Sequence, residues 1–226
     1  CSFEVHQWEK GAWKNLYQYD NYGYTCNSYF FQKDGEISAL GSNGFWNAQA
    51  DWLVFDKTFG SWELIKTQNQ PLGYSTYFKG IGPSYAYFLH AKYRNNRVED
   101  YTLAANKSFV LDFESNRWHE VDFGKYYSFN PKQTPYFIDK EEEYAMSTEN
   151  YMVTFATRSS DGLNGFLMLD KADWQLKFVA SPIPFSDYKF AYWRMIEGDE
   201  VQYLSSLNRK VSLDIESIYD QAEPVG

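Results

Sequence analysis

Leu53-Val54-Phe55-Asp56, followed by Ser61-Trp62-Glu63-Leu64-Ile65, decides how the rest of the chain is read, because close copies return twice. Phe109-Val110-Leu111-Asp112 precedes Arg117-Trp118-His119-Glu120-Val121, and Leu167-Met168-Leu169-Asp170 precedes Trp174-Gln175-Leu176. Each copy is an apolar run that ends on Asp, then a turn, then a Trp. Asp at a strand end accepts hydrogen bonds from N–H groups of the turn that follows, which fixes a hairpin.

Upstream of the first copy, Ser28 to Gln32 and Glu36 to Leu40 flank Lys33-Asp34-Gly35, and Asp-Gly between apolar runs is a strong hairpin signal. Gly41-Ser42-Asn43-Gly44 is expected to break the second of these strands, so Ser28 to Ile65 reads as four short strands. A second unit spans Tyr85 to Val121, with strands at Ala86 to Ala91 and Tyr101 to Leu103, and a third spans Tyr136 to Val179. A last unit begins at Phe190, where Val211-Ser212-Leu213-Asp214 repeats the first half of the motif with Tyr219 in place of Trp. At the other end, Phe3 to Leu16 is a worn copy in which Gly11-Ala12-Trp13 parallels Gly60-Ser61-Trp62. Prolines at 71, 131, 135, 182 and 184 separate the units, as residues that cannot donate to a ladder do.

Asp56 to Asp112 is 56 residues, Asp112 to Asp170 is 58, and Asp170 to Asp214 is 44. Four-stranded units recurring at roughly 40 to 50 residues mark a β-propeller, whose blades bury their faces against one another. The local pattern resembles the kelch repeat. That resemblance implies that Phe55, Leu111 and Leu169 lie on the third strands of successive blades. It also implies that Trp62, Trp118 and Trp174 lie on the outer fourth strands. The chain departs from the family in lacking a Gly-Gly pair and in shortening the Asp-to-Trp interval of the third copy from six to four. The expectation is a single all-β domain over 1–226: a β-propeller of about five four-stranded antiparallel blades, closed by pairing of N- and C-terminal strands.

Composition agrees with strands: 20 Tyr, 18 Phe and 8 Trp suit pleated, half-buried surfaces. A net charge of −9, with 21 basic residues scattered among 30 acidic ones, argues against nucleic acid as a partner. Cys1 and Cys26 form no metal or disulfide spacing, and no motif calls for a metal or another cofactor. Cys1 followed by Ser2 resembles a processed bacterial lipoprotein, which implies a lipid on Cys1 and a periplasmic or cell-surface location; a trimmed chain start is the alternative.

Recurrence makes Asp56, Trp62, Asp112, Trp118, Asp170 and Trp174 structural markers, so function is sought in what the repeats do not share. Tyr22, Tyr24, Trp46, Trp52 and Trp193 fall in or beside expected loops, and exposed aromatic faces stack on sugars and on peptide side chains. They are the candidate binding residues of a non-catalytic or sensory propeller whose partner is a glycan, peptide or protein. A second reading is a glycoside hydrolase using inner-strand carboxylates, with Asp34, Glu36, Asp139 and Glu197 as the pool. A third is a scaffold region of a membrane-anchored signalling protein. His6, His90 and His119 show no spacing that places two on one face.

Overall fold

Two central-strand runs, Phe109-Val110-Leu111 and Phe166 to Leu169, are buried at every position, which requires a partner on each side of the strand. The computed structural model supplies those partners, and describes residues 4–18, 28–43, 48–76, 78–93, 107–123, 127–128, 136–137, 146–181, 194–204 and 209–225. Among them the strands form four antiparallel-dominated sheets arranged like the blades of a four-bladed β-propeller, plus one separate hairpin.

The hairpin comes first, as β1 (His6–Glu9) and β2 (Ala12–Asn15). Blade 1 follows as β3 (Tyr29–Lys33), β4 (Glu36–Asn43), β5 (Ala48–Asp56) and β6 (Ser61–Ile65), in that order. Blade 2 contains β7 (Tyr74–Ser75), β8 (Phe78–Ile81), β9 (Tyr85–Tyr93), β10 (Lys107–Asp112) and β11 (Arg117–Val121). Blade 3 contains β12 (Tyr127–Ser128), β13 (Tyr136–Phe137), β14 (Met146–Ser147), β15 (Tyr151–Arg158), β16 (Asn164–Asp170) and β17 (Leu176–Ala180). Blade 4 is β18 (Arg194–Glu197), β19 (Glu200–Leu204) and β20 (Lys210–Asp214), after which come the helix α1 (Ile215–Asp220) and β21 (Glu223–Pro224).

Alternate residues of one strand serve two neighbours. On β10, Phe109 and Leu111 pack with Leu40, Ala50 and Trp52 of blade 1. Val110 between them packs with Leu167 and Leu169 of blade 3. On β16, Phe166 and Met168 turn the other way, toward Val201, Tyr203 and Leu213 of blade 4. Blades approach closely enough at β8 that a Cβ on Gly80 would overlap Met152 and Ser147 of blade 3. Blade 4 differs, because Glu200, Leu204, Lys210 and Ser212 on its other face are exposed.

The Asp-ended turns form as the sequence implies. Asp56 accepts from the N–H groups of Thr58 and Phe59 at 2.6 and 3.1 Å, and Asp112 from those of Glu114 and Ser115 at 2.9 and 3.4 Å. Asp170 accepts from Ala172 N–H at 2.7 Å. Four residues after each Asp the backbone is left-handed, at Gly60 (φ 62°), Asn116 (φ 51°) and Trp174 (φ 63°). The third turn is therefore not shortened. Phe55 pairs with Trp62 and Leu111 with Trp118, whereas Leu169 pairs with Leu176. Trp174 does not lie on the outer strand: it occupies the left-handed turn position and packs edge-on against Tyr85, with ring centroids 5.5 Å apart.

Other expectations need correction. Among the described residues the sheets are arranged like four blades rather than five, since the N-terminal unit is a two-stranded ribbon of its own. Closure by pairing of the two ends is not seen among the described residues: β1 pairs with β2, and β21 pairs with β17 of blade 3. The reason lies at Asp214. There the carboxylate accepts from Ser217 N–H and caps α1 instead of opening a hairpin, so the chain doubles back to blade 3. Gly41 does not end β4; it sits at φ 61° where the β4–β5 register shifts. Blade 2 begins with β7 and β8, ahead of the span read for that unit, and Tyr101 to Leu103 lies outside the described residues.

Trp118 is 2 % exposed and donates its indole N–H to Thr67 at 3.1 Å. Trp118→Ala is expected to lower unfolding free energy in urea by about 3–5 kcal/mol. Trp174→Ala, at the half-buried turn position, is expected to cost clearly less; equal losses would show that the two Trp residues hold equivalent places.

Candidate functional site

Of the aromatic candidates, Tyr22, Tyr24, Trp46 and Trp193 lie outside the described residues. Trp52 is corrected: it lies on β5, 8 % exposed, with its ring 5.2 Å from that of Phe113, so it is blade-to-blade filling rather than a loop aromatic. The carboxylates sit at exposed turns. Asp34 occupies the β3–β4 turn with Lys33 at 2.9 Å, Glu36 opens β4, and Glu197 precedes the β18–β19 turn, while Asp139 lies outside the described residues. The histidines are dispersed: His6 pairs with Glu4 at 3.2 Å, His119 is exposed, and His90 is buried at a left-handed bulge position of β9. Among the described residues no group of three or more His, Cys, Asp and Glu is placed to hold a metal ion.

A polar cluster gathers Tyr29 of β3, Ile81 of β8 and Ser147 of β14 about Lys171. Lys171, 3 % exposed, sends its ammonium to the carbonyls of Ile81 (2.6 Å), Thr148 (2.5 Å) and Glu149 (3.2 Å) and to Ser147 Oγ (3.0 Å). Tyr29 is hydrogen-bonded to Ser147, and burial raises its hydroxyl pKa. A serine 3.0 Å from a buried lysine has the geometry of a nucleophile and its base. Here three carbonyls surround the amine. Burial pushes it down to about 8, which leaves it protonated at neutral pH with every proton engaged. The chemistry is that of a staple: Lys171 joins blade 3 to Ile81 of blade 2, and Tyr87 of blade 2 donates back to Lys171 O at 2.6 Å. Lys79, on β8, is 6 % exposed with its ammonium 5.6 Å from the Phe88 ring centroid, and burial pushes it down to about 7.

The surface carries a different feature. Every residue of β1 and β2 is exposed, and Trp8 lies directly opposite Trp13. Lys10 (φ 51°) and Gly11 (φ 82°) make the doubly left-handed turn of a tight hairpin, which sets that register. The two rings meet edge to face at 5.2 Å and 65°, yet remain 58 % and 68 % exposed. Between them roughly 300 Å² of indole faces solvent, a large surface to leave uncovered beside a well-packed core. His6 and Asn15 continue the same face, and Gln7, Lys14, Glu9 and Ala12 make the other. The base is fixed: Leu16 N–H donates to Val5 O at 2.8 Å, Gln18 N–H donates to Gly60 O at 3.0 Å, and Val5 and Leu16 pack with Leu53, Phe55 and Trp62.

Sequence reading passed over Trp8. A Lys-Gly pair two residues after Trp8 and two before Trp13 is the signal that places both rings on one face of a two-residue hairpin. No protein-family model matches the chain, and no curated protein matches it in sequence.

The two buried lysines are expected to act on stability in different pH windows. Lys171→Met leaves three carbonyls without their donor and is expected to lower stability by about 3 kcal/mol in urea unfolding. Lys79 has its folded pKa near 7 against 10.5 in the unfolded chain, so the unfolded state holds more protons between those values. Stability therefore rises with pH through that window, and the burden of the buried charge is fully present below about 7. Lys171 adds its own rise only above about 8. Lys79→Met is expected to lose the rise in stability between pH 7 and 8; a parent-like slope would assign that rise elsewhere.

Proposed function

We propose that the chain is a non-catalytic recognition module, a propeller that acts as a rigid mount for an exposed aromatic surface. One observation carries this reading: Trp8 and Trp13 are exposed side by side on a hairpin whose base is pinned to blade 1. Aromatic side chains with few rotatable bonds lose little entropy when a ligand covers them, so a fixed pair favours binding. The hairpin adds a surface to the loop aromatics Tyr22, Tyr24, Trp46 and Trp193, which lie outside the described residues. The ligand class is a glycan, peptide or protein, with nucleic acid disfavoured by the net charge of −9.

In its finer form the proposal is a kelch-like module of a bacterial periplasm or cell surface, and its support is the recurring Asp turn.

Arrays of glycans, peptides and proteins probed with the whole chain test the reading. At least one ligand is expected to lose about tenfold or more in affinity in the Trp8→Ala/Trp13→Ala double variant while the thermal midpoint stays put. Turnover of a ligand that disappears in Asp34→Asn or Glu197→Gln would replace recognition by hydrolysis.

A further inference from the structure

We infer that the Trp8–Trp13 face of the β1–β2 hairpin binds a neutral glycan chain a few sugar rings long. The inference rests on the recognition reading above and names its ligand class. Size is the first argument. The two rings expose roughly 300 Å², against about 800 Å² per partner in a stable protein interface. That area suits a short run of pyranose rings, each of which presents an apolar C–H face to an indole.

Shape and chemistry agree. The 65° angle between the indoles makes a corner, with one ring as floor and the other as wall. Hydrogen-bonding side chains rather than aliphatic ones continue that face: His6 beyond Trp8 and Asn15 beyond Trp13. Sugar hydroxyls at the rim of a stacked ring need such partners. A protein hot spot, by contrast, is enclosed by further contacts that exclude water.

Charge selects within the class. On and beside the hairpin Glu4 and Glu9 stand against Lys10 and Lys14, so it is close to neutral, while the whole chain stands at −9. An anionic polysaccharide is repelled by the chain and finds no cationic cluster on the hairpin to compensate. A neutral chain meets neither obstacle.

The test uses the whole chain with neutral gluco-, xylo-, manno- and galacto-oligosaccharides, a polyuronate, and zwitterionic phosphatidylcholine vesicles. Readouts are calorimetry and tryptophan emission. At least one neutral oligosaccharide is expected to bind with Kd between about 10 μM and 1 mM, and about tenfold or more weaker in Trp8→Ala and in Trp13→Ala. Both positions are exposed, so an unchanged circular dichroism melt is expected and certifies the fold of each variant. Sugar binding that survives both substitutions overturns the assignment, as does preference for the polyuronate. A blue shift on vesicles without any sugar response overturns it in favour of a membrane contact. Loss of a peptide or protein ligand in the Trp variants, with no sugar bound, overturns the glycan class but leaves the recognition module standing. If no ligand of any kind depends on the hairpin, both readings fall.

Discussion

A four-stranded sheet has two faces and no interior, so every blade of this molecule depends on its neighbours to be stable. That constraint is written into the composition of the strands. Where neighbours stand on both sides, as for β10 and β16, the strand is an unbroken apolar run. Where one side is open, as on β19, Val201 and Tyr203 alternate with Glu200 and Gln202. The exposed face of blade 4 is thus encoded strand by strand. Blade 1 solves the same problem differently, by covering Leu53, Phe55 and Trp62 with Val5 and Leu16 from the base of the N-terminal hairpin.

Much of this was legible because its causes are local. A carboxylate bonds to N–H groups two and three residues on, so the turns at Asp56 and Asp112 follow from a few consecutive side chains. The same locality explains the misreading of the third copy. Counting from Asp to Trp assumes that Trp always fills the strand position, but backbone shape sets the register. The left-handed site falls four residues after each Asp whether it holds Gly60, Asn116 or Trp174, and the strand position falls two further on. There Leu176 does the work of Trp62 and Trp118. At Asp214 the carboxylate again captures an N–H three residues on, and the outcome is a helix, because N-capping and turn closure begin with the same bond.

What was not legible depends on distant chain. Lys171 reads as an unremarkable turn residue after Asp170, yet its ammonium is surrounded by carbonyls from residues up to 90 positions away. No periodicity announces that. The closure of the ring was misjudged for a related reason. Pairing of the two ends is a statement about which edges remain open, and the turn made by α1 brings the last strand to blade 3 instead. Trp52 was mistaken for a loop aromatic because the strand it belongs to begins earlier than its alternation suggests, and its ring fills the seam between blades 1 and 2.

Two tryptophans with the same local signature had different fates, and the difference marks the surface proposed for recognition. Gly60-Ser61-Trp62 and Gly11-Ala12-Trp13 each place Trp on the second strand of a hairpin, two residues after a left-handed glycine. Trp62 is 5 % exposed and Trp13 is 68 % exposed. Nothing in either hairpin accounts for this. Trp62 is covered because the chain brings Val5, Leu16 and Tyr17 against its face, and Trp13 stays open because its ribbon, the very element that supplies that cover, has its own face turned outward. The hairpin therefore does two things at once: its base completes a blade, and its body carries the aromatic surface that no blade uses. Anchoring and presentation are joined in the twelve residues from Val5 to Leu16, so the aromatic face inherits the rigidity of the core beneath it.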